Sequence, residues 1–352
     1  MTLRVGIDAR AYASPAAGVR RYVEGLTQAM AAFAREVELV PVVGEGPALP
    51  TNLGYNASAL PRAIARAKLD VFHAPAYTAP LWGSTPVVLS VHDVSYARHP
   101  EWYPYRRDPL RRWFYRRSAQ RAAAIITISE FSRQEIIAAY DIPAERIVVT
   151  PLGVSDIFRF RESREETRPP FLLHVGDLHA RRNIGIVVRA LARLPQPRPT
   201  LVLAGVDRGL AEPLLAEAQR LGVGDAIDLR GRVSDEELVT LYQRCAALVY
   251  PSRYEGFGFP LVEAMACGAP VIAAKASAIP EVAGSAAMLL DPDDEAGFAE
   301  AIARVLTEPA FAADLRARGL ARAARFTWHE TAARTLEAYR LAAASARAGG
   351  TA

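Results

Sequence analysis

The stretch Pro251–Val271, PSRYEGFGFPLVEAMACGAPV, carries the pattern that decides the fold. The apolar run Ala247–Val249 just before it reads as a strand, and Pro270–Ala273 at its far end reads as another. Between them, Gly256, Gly258 and Pro260 mark a loop and then a helix opening near Pro260, where proline's fixed φ is already helical. Strand, loop, helix and strand in that order form a βαβ unit. The sheet is therefore parallel, and its ligands belong at the carboxyl ends of its strands. Glu255 lies on the loop and Glu263 in the first turns of the helix, eight positions on. Carboxylates accept hydrogen bonds from vicinal sugar or ribose hydroxyls, and free N–H groups at a helix start hold phosphate. The plainer alternative is a dipole-stabilising Glu263 and glycines that only turn the chain.

The same alternation of short apolar runs and helical patterns extends outward from this unit. Strands are expected at Leu3–Ile7, Glu38–Val43, Val71–Phe72, Val87–Val91, Ala124–Ile128 and Ile147–Val149, with helices opening near Gly18 and after Ser129. The rhythm restarts at Phe171–Val175 and continues through Thr200–Ala204 and Ile227–Leu229. Two doubly wound α/β sheets in tandem fit this, and 352 residues suit two domains at roughly 100–200 residues each. Asp156–Pro170, dense in charge and closed by two prolines, reads as the linker, which places the domains at 1–168 and 169–327. After Phe326, TWHETAARTLEAYRLAAA predicts a helix over 328–345, capped by Thr327 and extending past its own domain. The Ala/Gly-rich tail after Leu341 is expected to fray.

Composition excludes several classes. Half of the residues are apolar (51%) and 23% are charged, the balance of a chain that buries a sizeable core rather than a disordered one. Residues 1–168 hold 22 Lys+Arg against 17 Asp+Glu, while 169–352 hold 20 against 21. The first half therefore favours an anionic partner. Cys245 and Cys267 are the only cysteines, too few for a disulfide framework and without metal-ligand spacing, so a reducing cytoplasm is expected. Arg4 and Asp8 interrupt what would be the core of a signal peptide, and no run of about 18 apolar residues follows, so neither secretion by that route nor a membrane span is expected.

Three further segments carry chemistry. In HVGDLHARRN, after the strand Phe171–Val175, Arg181 and Arg182 lie where planar, permanently charged guanidinium forks suit a diphosphate, or else face solvent. His92-Asp93 follows the strand Val87–Val91, and His73 stands at another strand end in VFHAPAY; either histidine is a site residue or a satisfied core group. In SPAAGVRRY, Gly18 opens a helix on which Arg20 and Arg21 suit an anionic acceptor or a solvated face. EWYPYRRDPLRRWFYRRSAQR, residues 101–121, combines seven arginines with six aromatics. It fits an anionic bilayer surface or lipid pyrophosphate head, or a solvated arginine face over a buried aromatic stripe, in preference to nucleic acid. Asp291-Pro-Asp293 spells a metal–sugar-nucleotide motif, but its acidic cluster is explained by helix capping, so no metal is expected. No GxGxxG follows the first strand, which argues against a nicotinamide or flavin enzyme.

The string around Glu255 and Glu263 resembles the E-x7-E signature of retaining glycosyltransferases of family 4 (group 1). VHDVSYARHPEWYP, ITISEFSRQEI, RIVVTPLGV, HVGDLHARRN, LVLAG and the FTW helix resemble successive blocks of the mannosyltransferase-like branch, in the family's order and over roughly residues 3–340. The resemblance implies the GT-B architecture: two Rossmann-like domains facing an interdomain cleft, with the C-terminal helix crossing back to the first. It implies that Glu255 and His92 contact the donor sugar and that Arg182 binds the diphosphate and stabilises the leaving nucleotide. Around the donor it places Gly176, Arg181, Gly256, Phe257, Gly258 and Phe259, with Glu263 on the ribose. Gly18, Arg20, His73 and Asp93 are the acceptor and phosphate candidates. Here Arg182 stands where the family commonly has Lys, Asp177 where some members have Arg, and Ala16-Ala17 thin a turn that is usually glycine-rich.

The activity this implies is transfer of a hexose, with mannose from GDP-mannose favoured, to a saccharide or lipid-pyrophosphate-linked acceptor in polysaccharide, O-antigen or glycolipid assembly. Retention by same-face displacement is expected, without cofactor or metal, in the cytoplasm, with a peripheral place on the inner face of the cytoplasmic membrane as the alternative that residues 101–121 leave open. The alternatives are another nucleotide-hexose donor (UDP-glucose, dTDP-rhamnose or UDP-N-acetylglucosamine), a sugar-nucleotide epimerase on the same architecture, and a non-catalytic assembly partner.

Overall fold

The computed structural model describes residues 2–14, 16–44, 52–103, 108–161 and 170–349. The chain divides into two compact units, Met1–Gly153 with Thr327–Ala352, and Val154–Phe326.

The first unit is built on six parallel strands: β1 (Leu3–Asp8), β2 (Val37–Val42), β3 (Val71–Ala74), β4 (Val87–Ser90), β5 (Ala124–Thr127) and β6 (Ile147–Val149), in the order β2-β1-β3-β4-β5-β6. Strands β3, β4 and β5 are buried along almost their whole length, which is why each opens on consecutive apolar residues rather than an alternating pattern. The helix Ala17–Phe33 covers the sheet with Val19, Tyr22, Val23, Leu26, Ala29 and Met30, the three-and-four spacing of one helical face. Each large apolar side chain so buried is worth about 1.5–3 kcal/mol.

The C-terminal helix, Trp328–Gly349, belongs to this unit and packs on the Ala17–Phe33 helix and on β5 and β6. Thr327 caps it, its Oγ1 accepting the Glu330 N–H at 3.2 Å, as its position in the sequence predicts. Trp328 enters where two glycines leave room: a Cβ on Gly25 or on Gly153 would stand 2.3 Å from its atoms. Farther along, Thr331 donates to the Pro151 carbonyl at 2.7 Å, and Ala338, Tyr339 and Ala342 are fully buried. The fraying expected after Leu341 is not observed; the helix runs on to Gly349, anchored by Ala342 and with five alanines among residues 342–349.

The second unit repeats the plan with β7 (Phe171–Val175), β8 (Thr200–Ala204), β9 (Ile227–Gly231), β10 (Ala247–Tyr250), β11 (Val271–Ala274) and β12 (Met288–Leu290), ordered β12-β11-β10-β7-β8-β9 and parallel throughout. Strand β12 escapes sequence reading because it is a three-residue, half-buried edge strand. Leu172, Leu201, Leu203, Val249 and Ile272 form the core with Val187, Val188 and Leu191 of the helix Gly185–Arg193 and Phe298 and Ile302 of the helix Glu295–Thr307.

One boundary needs correction. Residues 154–161, assigned from sequence to the first domain and its linker, belong to the second unit. Val154 donates its N–H to the Phe326 carbonyl, Phe158 meets Tyr242 edge-on at 5.9 Å, and the Arg159 carbonyl accepts from Gln243 at 2.8 Å. The charged stretch 162–169 lies outside the described residues.

Candidate functional site

In the second unit the chemistry gathers at the carboxyl ends of β7 and β10. After β10 the chain runs through Pro251–Gly258 into the helix Phe259–Ala266, with Gly258 as the residue before its first turn at φ +96°, a left-handed conformation that favours glycine. Glu255 is held by its backbone: its N–H donates to Ser277 Oγ at 2.9 Å, and its carbonyl accepts the Ala278 N–H at 3.3 Å. Its carboxylate is buried. One oxygen accepts from Arg182 Nη1, and the other lies 3.5 Å from Arg181 Nη1. Arg181 Nη1 also donates to the Tyr254 carbonyl at 3.1 Å.

The two arginines sit in the turn Ala180–Arg182, closed by Asn183 at φ +54°, whose amide donates to the Pro292 carbonyl at 2.7 Å. Arg182 Nη1 additionally reaches the Tyr250 hydroxyl and, at 3.4 Å, Ser252 Oγ. Gly176, at φ +139°, lies directly beneath this guanidinium: a Cβ there would be 3.1–3.2 Å from its Cζ, Nε and Nη2. The sequence pairs Arg181, Arg182 and Glu255 with one ligand, and the fold brings all three together with Gly176. Gly256 and Phe257 of the Glu255 loop are buried, Phe257 meeting Phe326 edge-on at 5.4 Å, and Phe259 is half-buried. Asp177 points elsewhere, its carboxylate held by Arg208 at 2.9 Å.

Glu263 follows a different course. Its carboxylate is 1% exposed and accepts from the Tyr242 hydroxyl at 3.0 Å. Burial pushes the neighbouring Cys267 thiol up to about 12, and the charge of Glu263 adds to the effect. Tyr242 thus reaches Glu263, whereas Arg181 and Arg182 reach Glu255. Four side chains of this region escape sequence reading: His174, Tyr250, Ser252 and Ser277. Tyr250 carries a faint signal, as the aromatic that ends the apolar run ALVY. In the acidic cluster, Asp294 caps the helix Glu295–Thr307 and Asp293 pairs with Arg253, the capping role expected from sequence joined by an ion pair.

In the first unit, His92 lies two residues beyond β4 and is buried. Its Nε2 is 3.1 Å from the Pro75 carbonyl, and Tyr22 packs edge-on at 4.8 Å. Burial is the main reason that its pKa is lowered, partly offset by the Pro75 carbonyl and Asp93. Asp93, half-buried, accepts from the Ser95 N–H at 2.9 Å and from the Ser95 hydroxyl at 2.6 Å.

His73 does not occupy the open strand end expected of an acceptor-side residue. Strand β3 continues through His73 to Ala74, so the imidazole is fully buried. Both ring nitrogens are engaged within the core, by Tyr339 and by Ser90, each at 2.8 Å. Gly18 is exposed on the first turn of the helix Ala17–Phe33, and Arg20 donates to the Ser14 carbonyl at 3.1 Å.

The helix Pro109–Arg121 combines both readings of the basic stretch. It buries Phe114, Ser118 and Ala119 and stacks Tyr115 on Tyr77, while Leu110 and Trp113 are 56% and 51% exposed among Arg111, Arg112, Arg116, Arg117 and Arg121. Tyr105, Arg106 and Arg107 lie outside the described residues. Among the described residues no helix is long and apolar enough to cross a membrane, and no cluster of three or more His, Cys, Asp or Glu could hold a metal ion.

Comparison with known proteins agrees with this architecture. Residues 6–156 match the model for Glycosyltransferase Family 4, and residues 156–322 match the model for Glycosyl transferases group 1. The O-antigen chain mannosyltransferase B of Escherichia coli is 34% identical over 77% of this chain and 74% of its own length. The serotype-specific mannosyltransferase WbdA of Escherichia coli is 32% identical over 67% of this chain, which spans only 31% of that larger protein. A sucrose-phosphate synthase from Thermosynechococcus elongatus, 21% identical, has the same fold, with a TM-score of 0.79 over 98% of this chain and 100% of its own.

Proposed function

Because the chain belongs to the group 1, family 4 glycosyltransferases, we propose that it transfers mannose from GDP-mannose to a saccharide or lipid-pyrophosphate-linked acceptor with retention of anomeric configuration. The observation that carries this reading is the cluster of Arg181, Arg182 and Glu255, a pair of diphosphate-matched forks beside a polyol-matched carboxylate. The choice of mannose rests on the 34% identity to the O-antigen chain mannosyltransferase.

In this reading, Arg182 with Arg181 neutralises the diphosphate as the sugar–oxygen bond breaks, and Glu255 holds sugar hydroxyls as the ring gains oxocarbenium character. Helix-start N–H groups after Gly258 add to the phosphate contacts, and Glu263 holds the ribose. His92 keeps the contact to the donor sugar that the family resemblance assigns it. No carboxylate takes the part of nucleophile, so the acceptor oxygen attacks from the face that the phosphate leaves, and the leaving phosphate takes the acceptor's proton. No metal takes part. The exposed Leu110 and Trp113 among arginines bring the enzyme to an anionic bilayer where a lipid-borne acceptor resides.

The test is calorimetric titration with GDP, UDP, dTDP, ADP, GDP-mannose and UDP-glucose, with and without EDTA, followed by NMR of the product anomer. EDTA-insensitive binding of GDP and GDP-mannose and an α-linked product support the reading. Selective UDP or dTDP binding refutes mannose, a β-linked product refutes retention, and donor turnover without acceptor points to an epimerase.

A further inference from the structure

Two buried polar atoms behind the Arg182–Glu255 cluster have no hydrogen-bond partner: His174 Nε2 and Arg182 Nε. An orphaned buried donor or acceptor costs a protein about 1–3 kcal/mol, so each needs a reason. His174 lies on β7, two residues before Gly176, and is fully buried. Its Nδ1 is 3.1 Å from the Val249 carbonyl. A carbonyl only accepts, so Nδ1 carries the proton and Nε2 presents a lone pair. Arg182 Nε–H is a donor without an acceptor, so the two orphans are complementary.

Their surroundings tie them together. The His174 ring lies nearly parallel to Tyr250, with 6.0 Å between centroids. Tyr250 in turn takes Arg182 Nη1 on its hydroxyl and stands 5.4 Å below the guanidinium. Burial, and after it the charge of Arg182, push the His174 pKa down to about 3, so the imidazole beside the arginine is neutral. Meanwhile Arg182 Nη1 is overcommitted, shared among Tyr250, Ser252 and Glu255.

We propose that His174, with Tyr250, is a positioning residue for Arg182: its Nε2 accepts the Arg182 Nε–H once a donor diphosphate draws the outer edge of the guanidinium away from Glu255. The back edge of the fork is then fixed by two neutral acceptors and the front edge is presented to phosphate oxygens. This rests on the reading that Arg182 binds the diphosphate.

The experiment uses the full chain and the nucleoside diphosphate that the wild type binds best among GDP, UDP, dTDP and ADP, each beside its monophosphate. Arg182→Ala, His174→Phe, His174→Gln, Tyr250→Phe and the His174→Phe/Arg182→Ala double variant are titrated calorimetrically after circular dichroism confirms their folding. His174→Phe should weaken the diphosphate roughly tenfold, the weight of one charge-assisted hydrogen bond, and leave the monophosphate within about twofold. His174→Gln, which returns an acceptor at that reach, should recover most of the loss, and His174→Phe should add nothing in the Arg182→Ala background. Tyr250→Phe keeps the ring and removes one acceptor, so it should show the same diphosphate-selective loss even where His174→Phe does not fold.

Wild-type diphosphate affinity in His174→Phe, an equal loss for both nucleotides, or a full loss persisting without Arg182 overturns the inference. Wild-type affinity in Arg182→Ala overturns the reading beneath it.

Discussion

The replacement Gly176→Ala tests whether the backbone of the β7 turn exists to seat a guanidinium. Two costs can be read from the structure. The first is conformational: at φ +139° an alanine is held in a region that L-residues rarely enter, about 1–3 kcal/mol against the second unit. The second falls on the site, because the new Cβ would stand 3.1 Å from Arg182 Cζ and 3.2 Å from Nε and Nη2. The arginine has little room to retreat, being held at Nη1 by Tyr250 and Glu255. Displacing it by a few tenths of an ångström forfeits one charge-assisted contact to an incoming diphosphate, about 1.5–3 kcal/mol, or roughly ten- to a hundredfold in affinity. Gly231→Ala separates the two costs, since Gly231 also has positive φ, +65°, yet a Cβ there meets nothing within 4 Å. Calorimetric titration with GDP and UDP, paired with thermal melts, should show both variants destabilised and only Gly176→Ala weakened in binding. Unchanged diphosphate affinity in Gly176→Ala, or an equal loss in Gly231→Ala, refutes the reasoning.

Two further outcomes follow from packing and protonation. Gly25→Ala gains about 0.5–1 kcal/mol of helix propensity, but its Cβ would lie 2.3 Å from the Trp328 ring, an overpacking that costs about 1–3 kcal/mol, so the melting temperature should fall; a rise would show that the seat of the C-terminal helix is soft. His73 and His174 are held neutral by burial, each with its pKa lowered from 6.5 to about 3, so this contribution is whole above pH 6.5 and is lost as pH falls from 6.5 toward 3. Urea unfolding between pH 7 and 4.5 should lose up to ~1.4 kcal/mol per pH unit for each histidine, and a flat profile over that range would refute the assignment.

Much of the fold was legible because parallel strands buried on both faces leave continuous apolar runs; Phe171–Val175 and Thr200–Ala204 coincide in sequence and structure. What escaped was set by tertiary context. β12 is too short to announce itself. Residues 154–161 look like a linker by charge, yet they dock through Phe158 onto Tyr242. At the site, residue types and strand-end positions mark Glu255, Arg181 and Arg182 as candidates, and the fold brings the three side chains together. The sequence leaves His73 open between a site residue and a satisfied core group, and the structure shows the latter because β3 runs two residues farther than its apolar run. His174 gave no signal at all, since an orphaned lone pair exists only in three dimensions.

The direct pairing of Arg182 with Glu255 bears on how such a site treats its ligand. Two opposite charges this buried must neutralise each other or lie with other partners, because an isolated buried charge is costly. A nucleotide sugar offers both partners in one molecule: anionic oxygens for the guanidinium and hydroxyl donors for the carboxylate. On the proposed reading the ion pair is therefore a placeholder for the donor, and a fragment that supplies only one half leaves the other charge uncompensated. A diphosphate alone can draw Arg182 away only by stranding Glu255 with Arg181 as its remaining counter-charge, 3.5 Å distant. This makes Arg181 more than a second phosphate contact. It leaves a counter-charge beside the Glu255 carboxylate, which accepts from sugar hydroxyls on this reading, while Arg182 is engaged elsewhere.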